Sequence, residues 1–211
     1  MKKFALIQYP FKKSLSSLIF EKYFKKIRFD GSYEDITVSP ENFKNEIKII
    51  TENFEGFNIT NPYKNLIMKY TENFSDDAKK INAVNCVYNK SGYNTDWKGF
   101  IKFFPECGKD SGILIIGAGG ASAAVIYSLV KNGYKNIYLT NRTEKNAVSM
   151  INFFKPYDIK IKNYENLDNE LKKADILINA SSVGMYGESF SFDHNSLKNI
   201  KFVYDIVYNE S

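Results

Sequence analysis

The chain has 211 residues, 44% hydrophobic and 25% charged, ordinary proportions for a globular protein with enough length for a substantial core, in one domain or two small ones. Its formal charge of +5 suits anionic small molecules, but the lysines are scattered rather than gathered in a stripe, which argues against a nucleic-acid partner. No segment approaches the length of a membrane-spanning helix, and the apolar stretch after Met1-Lys2-Lys3 is too short for a signal peptide, so no membrane partner and a cytoplasmic location are expected.

Residues 4–7 read as a first strand, followed by a loop and a helix over about 15–26. A strand at 32–37 leads to Ser39-Pro40, which opens a second helix in the order N-cap then N1 proline. Residues 57–60 are strand-like, and Asn61-Pro62 opens a short helix in the same way. Ser75 caps a helical turn with Asp76 and Asp77 at its start, residues 83–88 form a strand, and 89–92 a turn. A helix over 97–104 precedes a buried strand at 112–116 and a helix at 121–130. A strand at 135–140, a helix over about 144–154, and strands at 159–161, 176–178 and 202–207 complete the chain. This alternation predicts an α/β protein with parallel sheets.

The stretch GILIIGAGGASAAV, residues 112–125, carries the clearest chemistry. A strand buried on both faces runs into Gly117, Ala118, Gly119 and Gly120, where the backbone turns tightly and comes close to a ligand. The helix that follows from Ala121 aims its unpaired N–H groups and positive dipole end at that ligand, which suits a pyrophosphate. Ser122 takes the third glycine position of the dinucleotide fingerprint and is small enough for helix and strand to pack closely.

The next strand ends in Asn141-Arg142-Thr143 where an NAD site usually offers an acid, and Lys145 follows. A cationic fork there suits a 2′-phosphate, which points to NADP. The plainer alternative is that Thr143 caps the next helix while Arg142 is solvated; the two can hold together.

Cys86 and Cys107 lack close spacing, give no zinc pattern and fit a reducing compartment; His194, in a polar run, reads as a surface turn residue, so no metal is assigned. Several polar residues of the first half stand where they need a reason: Ser14 and Ser16 before a helix, Thr60 and Lys64 around Asn61-Pro62, Asn85 within a strand, Asp96 before Trp97. Each also has a local explanation, with Ser16 or Asp96 as an N-cap and Asn85 as a strand-edge amide.

Taken together, FALIQYPFKKSLSSLI, GFNITNPYK, INAVNCVY, YNTDWKGF, IIGAGGAS, TNRTEKNA and INASSVGM resemble, in order, the motifs of the shikimate dehydrogenase family over nearly the whole chain. The resemblance implies an N-terminal α/β substrate-binding domain, residues 1–98, followed by a Rossmann-like NADP-binding domain with a parallel sheet, residues 99–211. It implies reduction of 3-dehydroshikimate to shikimate with NADP, in the pathway to aromatic amino acids. Ser14, Ser16 and Tyr208 would hold the carboxylate; Thr60, Lys64, Asn85 and Asp96 would surround the ring hydroxyls and reacting carbonyl, with Lys64 and Asp96 catalytic. Lys13 would add charge at the carboxylate or be solvated. Gly117 to Ala121, Asn141, Arg142, Thr143 and Lys145 would hold the dinucleotide, and Gly184 and Met185 would line the nicotinamide.

Family chains normally continue past the last residue here, so a short form lacking the usual C-terminal helices is expected. Apolar surface left by those helices makes a homodimer a candidate state. Two other readings keep the fold: a catalytically weak protein that binds NADP or shikimate, and a dehydrogenase acting on quinate.

Overall fold

The computed structural model describes residues 1–12, 14–185 and 187–207, so Lys13 and Tyr208 lie outside the described residues. The chain divides into two compact units, Met1–Thr95 and Asp96–Ser211.

The first unit runs β1 (Lys2–Gln8), α1 (Leu15–Ile27), β2 (Gly31–Thr37), α2 (Phe43–Asn53), β3 (Gly56–Ile59), a 3-10 helix (Leu66–Tyr70), β4 (Asn73–Phe74), α3 (Asp76–Ile81), β5 (Cys86–Tyr88) and β6 (Ser91–Tyr93). Its six strands are ordered β2-β1-β3-β5-β6-β4. The sheet is mixed rather than parallel throughout: β1 lies parallel to β2 and β3, whereas β5 is antiparallel to both β3 and β6. The departure comes from the two-residue turn Asn89-Lys90, whose φ angles of 47° and 57° match the hairpin turn that reverses the chain most compactly.

Period-two alternation along β1 splits this unit's core. Ala5 and Ile7 pack with Phe43, Ile47, Ile59, Tyr63 and Ile67, while Leu6 packs with Phe24 and Tyr33 on the α1 side. Because Tyr33 pairs with Phe4, and Asn58 pairs with Leu6 on one side and Cys86 on the other, these side chains all share the α1 face.

Four local expectations need correction. The second helix begins at Phe43 rather than at Pro40: a turn closes from Asn42 N to Ser39 O (3.1 Å), and burial of the Phe43 ring against Tyr63 fixes where the helix starts. Asn61-Pro62 opens no helix; its peptide bond is cis, Tyr63 N closes a turn on Thr60 O (3.0 Å), and regular structure resumes at Leu66. The strand expected from Ala83 starts only at Cys86, because Ala83 N and Val84 N bond Ala78 O and Lys64 O instead of a neighbouring strand. The cap of α1 is Ser14, not Ser16: the Ser14 hydroxyl oxygen accepts from Ser16 N at 2.9 Å. Ser75 caps α3 as expected, accepting from Ala78 N.

The second unit runs α4 (Asp96–Phe103), β7 (Ile113–Ile116), α5 (Gly120–Lys131), β8 (Ile137–Thr140), α6 (Glu144–Phe153), β9 (Lys160–Ile161), a 3-10 turn into α7 (Leu167–Leu171), β10 (Ile176–Asn179), a 3-10 turn at His194–Leu197 and β11 (Phe202–Asp205). Every strand pair in its five-stranded sheet is parallel, in the order β11-β10-β7-β8-β9. The four residues of β7 are at most 1% exposed, as a strand covered on both faces requires. The unit begins at Asp96, three residues before the expected boundary, since α4 lies on α5: Ser128 Oγ donates to Trp97 O at 3.0 Å and the Trp97 ring meets Tyr127 edge-on. Asp96 is the first residue of that helix rather than its cap.

Candidate active site

In the second sheet, strand order reverses between β7 and β10, the place where open α/β sheets hold ligands beyond the carboxyl ends of their strands. Gly117 leaves β7 with φ +112°, and a Cβ there would stand 2.7 Å from Ala180 O and 2.8 Å from Ser181 N, so only glycine allows the two crevice loops to close on each other. Ser122 is fully buried and its hydroxyl donates to Ala180 O (3.3 Å), which explains why serine serves in the third glycine position.

Gly119 has a different role. It is the N-cap of α5 with no side-chain capping bond, and a Cβ there would meet nothing within 4 Å. Nothing packs against the Gly119 Cβ position, and no side chain caps the twelve-residue helix that follows, whose first N–H groups have no partner within the helix itself. This cradle fits the pyrophosphate of a dinucleotide.

At the end of β8, beside β7 in the sheet, Asn141 Nδ2 donates to Thr143 O at 2.8 Å and shapes the turn into α6. Thr143 occupies the N-cap position but its side chain makes no capping bond, which counts against capping as its whole purpose. Arg142 and Lys145 are exposed. Gly184, with φ +95°, and Met185 follow β10; Met185 N bonds Ser182 O.

The residue that organises this loop stands inside the INASSVGM stretch but has no role assigned from sequence. Asn179, 3% exposed at the end of β10, donates to Val183 O and Asp205 Oδ1 (both 3.0 Å) and accepts from Ser181 N (3.1 Å) and Ser181 Oγ (2.7 Å). An amide ending the apolar run ILIN was the available signal.

In the first unit, a polar chain leads to the expected Asn85. Tyr33 donates its phenol proton to Asn58 Oδ1 (2.9 Å), and Asn58 Nδ2 donates to Asn85 O (3.1 Å). The Asn85 carboxamide holds Thr95 twice, accepting from its N–H (2.9 Å) and donating to its Oγ1 (3.0 Å). Burial first, and then the nearby Asp35, push the Tyr33 phenol well above its ordinary pKa, so it keeps its proton. Burial likewise raises the Cys86 thiol.

Thr60 is fixed through its backbone, with N–H to Ile7 O (3.1 Å) and O from Tyr63 N (3.0 Å). Half-buried Lys64 accepts Val84 N at its carbonyl (2.8 Å), one residue from Asn85. Ser14, Ser16, Thr60, Lys64 and Asn85 thus belong to the first unit, whereas Asp96 opens the second. Tyr33 lies outside the motifs quoted above, and Asn58 and Thr95 stand inside two of them without an assigned role; a tyrosine and an asparagine spaced by strand pairing across β1 leave no linear pattern.

A parallel sheet in this order, with a glycine cradle at the switch point and cations after the next strand, defines a dinucleotide-binding protein. Family profiles described as "Shikimate dehydrogenase substrate binding domain" and "Shikimate / quinate 5-dehydrogenase" match residues 6–87 and 102–187. The chain is 41% identical to shikimate dehydrogenase (NADP(+)) of Thermotoga maritima over 98% of its length and 79% of the relative's. It is 36% identical to the Caldanaerobacter subterraneus protein of the same name, covering 79% of that protein. The crystal structure of the Thermotoga maritima enzyme superposes with a TM-score of 0.88, covering 99% of this chain and 80% of that one. The Thermus thermophilus enzyme in complex with NADP(H) and shikimate gives 0.85 at 28% identity, with 99% and 79% coverage. The chain belongs to the shikimate dehydrogenase family.

Proposed function

We propose that the chain interconverts 3-dehydroshikimate and shikimate with NADP, its second unit holding the dinucleotide and the polar residues of its first unit holding the acid. The carrying observation is that likeness to the NADP(+)-named relatives spans both units, so the glycine cradle and the polar chain occur in one molecule.

When bound, NADPH supplies the hydride. The chain's own task is to orient the keto acid and to manage charge at the ketone oxygen, which becomes an alkoxide and must gain a proton. Lys64 is assigned that work: its ammonium stabilises the developing negative charge and donates the proton. Asp96 is assigned to accept from a ring hydroxyl. Ser14, Ser16 and Tyr208 are assigned to the carboxylate, and Thr60 and Asn85 to ring hydroxyls. Arg142 and Lys145, with Asn141 and Thr143, take the 2′-phosphate end, Gly117 to Ala121 the pyrophosphate, and Gly184 with Met185 the nicotinamide.

Self-association belongs to the same reading, because Leu15, Ile19, Tyr23 and Ile27 form an exposed stripe along α1. Sedimentation giving a monomer at high concentration would remove it. The free thiols of Cys86 and Cys107 suit a reducing compartment such as the cytoplasm, and among the described residues no helix is long and apolar enough to cross a membrane.

The test is NADPH formation from shikimate by the purified chain and by Lys64→Ala, with quinate in parallel. Loss of a proton-transfer group costs roughly 10²–10⁴-fold in kcat, with NADP affinity retained. An active Lys64→Ala enzyme would remove the assignment, and higher kcat/KM with quinate would change the substrate.

A further inference from the structure

The loop after β10 is held twice, and both ties lead to one oxygen of Asp205, the last residue of β11. Asn179 Nδ2 has two protons; one goes to Val183 O and the other to Asp205 Oδ1, each at 3.0 Å. The carboxamide oxygen takes Ser181 N (3.1 Å) and Ser181 Oγ (2.7 Å), and Ser181 Oγ accepts from Val183 N at 3.2 Å. The same Asp205 Oδ1 accepts from Val207 N at 2.8 Å, which turns the chain just past β11. There Val207 Cγ1 lies 3.7 Å from where a Gly184 Cβ would stand. One carboxylate oxygen therefore reaches the loop through the Asn179 amide and again through the Val207 side chain. The base of the loop is anchored separately: Ala180 N bonds Ile116 O (2.9 Å), and Ala180 O accepts from Ser122 Oγ (3.3 Å).

We propose that Asp205 is a positioning residue that sets the Gly184-Met185 segment in place for the nicotinamide. The proposal rests on the assignment of that segment to the nicotinamide. Without Oδ1 the Asn179 amide is tied to its own loop alone and Val207 is released from its turn, so residues 181–185 shift together on their fixed base. A misplacement of about 1 Å at a reacting centre costs on the order of 10²-fold in rate. The pyrophosphate and the 2′-phosphate are assigned elsewhere, to the glycine cradle and to Arg142, so affinity for NADP survives the loss while the hydride step does not.

Both bonds end on Oδ1, an atom that Asp205→Asn keeps, whereas Asp205→Ala removes it and Asp205→Glu moves it by one methylene while keeping the charge. Hydrogen exchange in the unliganded chain reads the loop directly. Asp205→Ala and Asp205→Glu are expected to lose about tenfold protection at the Ser181 and Val183 amides, as loss of one hydrogen bond gives, with β7 unchanged and Asp205→Asn matching wild type. In single-turnover NADPH formation from shikimate the first two are expected to fall about 10–100-fold and Asp205→Asn to stay within about threefold. Calorimetry is expected to give all three the wild-type NADP affinity within about twofold. An Asp205→Asn chain as impaired as Asp205→Ala, or NADP affinity falling in step with the rate, overturns the proposal. If Asp205→Ala does not fold, Asp205→Glu against Asp205→Asn carries the comparison. Unchanged protection in Asp205→Ala removes the role of Asp205 alone, whereas protection lost with no change in rate removes the nicotinamide assignment and the proposal with it. A wild-type chain that forms no NADPH from shikimate overturns the dehydrogenase reading as well.

Discussion

Two glycines two residues apart should respond oppositely to the same added methyl group. At Gly117 an alanine must adopt φ near +112° and place its Cβ 2.7 Å from Ala180 O and 2.8 Å from Ser181 N, both backbone atoms. Those atoms have little freedom, because the loop that carries them is tied to Asn179. The left-handed backbone costs about 1–2 kcal/mol and the overpacking about 1–3 kcal/mol, together roughly 2–5 kcal/mol. For a chain of this size that lowers Tm by about 4–20 °C. At Gly119 the φ of −109° is ordinary and a Cβ meets no atom within 4 Å, so alanine costs at most about 1 kcal/mol, as the poorer N-cap. The methyl group there instead enters the space above the α5 amides. Thermal unfolding and NADP calorimetry on both variants separate the effects. Gly117→Ala should lower Tm, whereas Gly119→Ala should keep Tm and weaken NADP by tenfold or more, as loss of charge-assisted bonds to phosphate does at about 1.5–3 kcal/mol each. Unchanged NADP affinity in Gly119→Ala would refute the cradle.

Arg142→Ala should raise KM for NADP by about 10–100-fold and leave KM for NAD within about twofold, because only the former carries the 2′-phosphate; equal losses with both cofactors would return Arg142 to solvent. Asp175 accepts from Lys201 Nζ and Gly112 N, both at 2.8 Å, and these bonds hold its carboxyl below the usual carboxylate value. Its folded pKa being depressed, its contribution to stability is complete above the unfolded value of about 3.9 and is lost as pH falls through the folded one. Denaturant titrations should show Asp175→Asn less stable at neutral pH and less sensitive than wild type below about pH 4; parallel pH curves would contradict this.

The second unit was the more legible in sequence because its signals are local. An apolar run, a glycine turn and a helix occur consecutively, and the parallel sheet forces a fully apolar strand at β7. The first unit resisted where tertiary packing outranked local rules. Ser39-Pro40 is a good helix start by propensity, yet burying Phe43 determines where α2 begins. Asn85 stands at the edge of a strand, its backbone bonded to Tyr93 O and Ile59 N, and only the fold shows that its carboxamide organises Thr95. Tyr33 and Asn58 were invisible as a pair because β1 separates them in the sheet, and only the register of three strands puts one in reach of the other.

Asn85 and Asn179 show the same solution at two different places. Each lies at the boundary between a strand and a loop, is at most 9% exposed, and engages backbone and side-chain groups of neighbouring segments through its carboxamide. A carboxamide offers two donors and two acceptor positions in a fixed plane, so one buried residue can fix several loop atoms at once. An aspartate would bring acceptors only and an apolar residue would leave the loop amides unpaired in the interior, at about 1–3 kcal/mol each. Loops held this way keep their shape before any ligand arrives, so binding need not supply their ordering entropy. In the first unit the arrangement fixes Thr95; in the second it fixes the wall against which Gly117 closes. Precision at these loops therefore resides in uncharged amides at the strand ends.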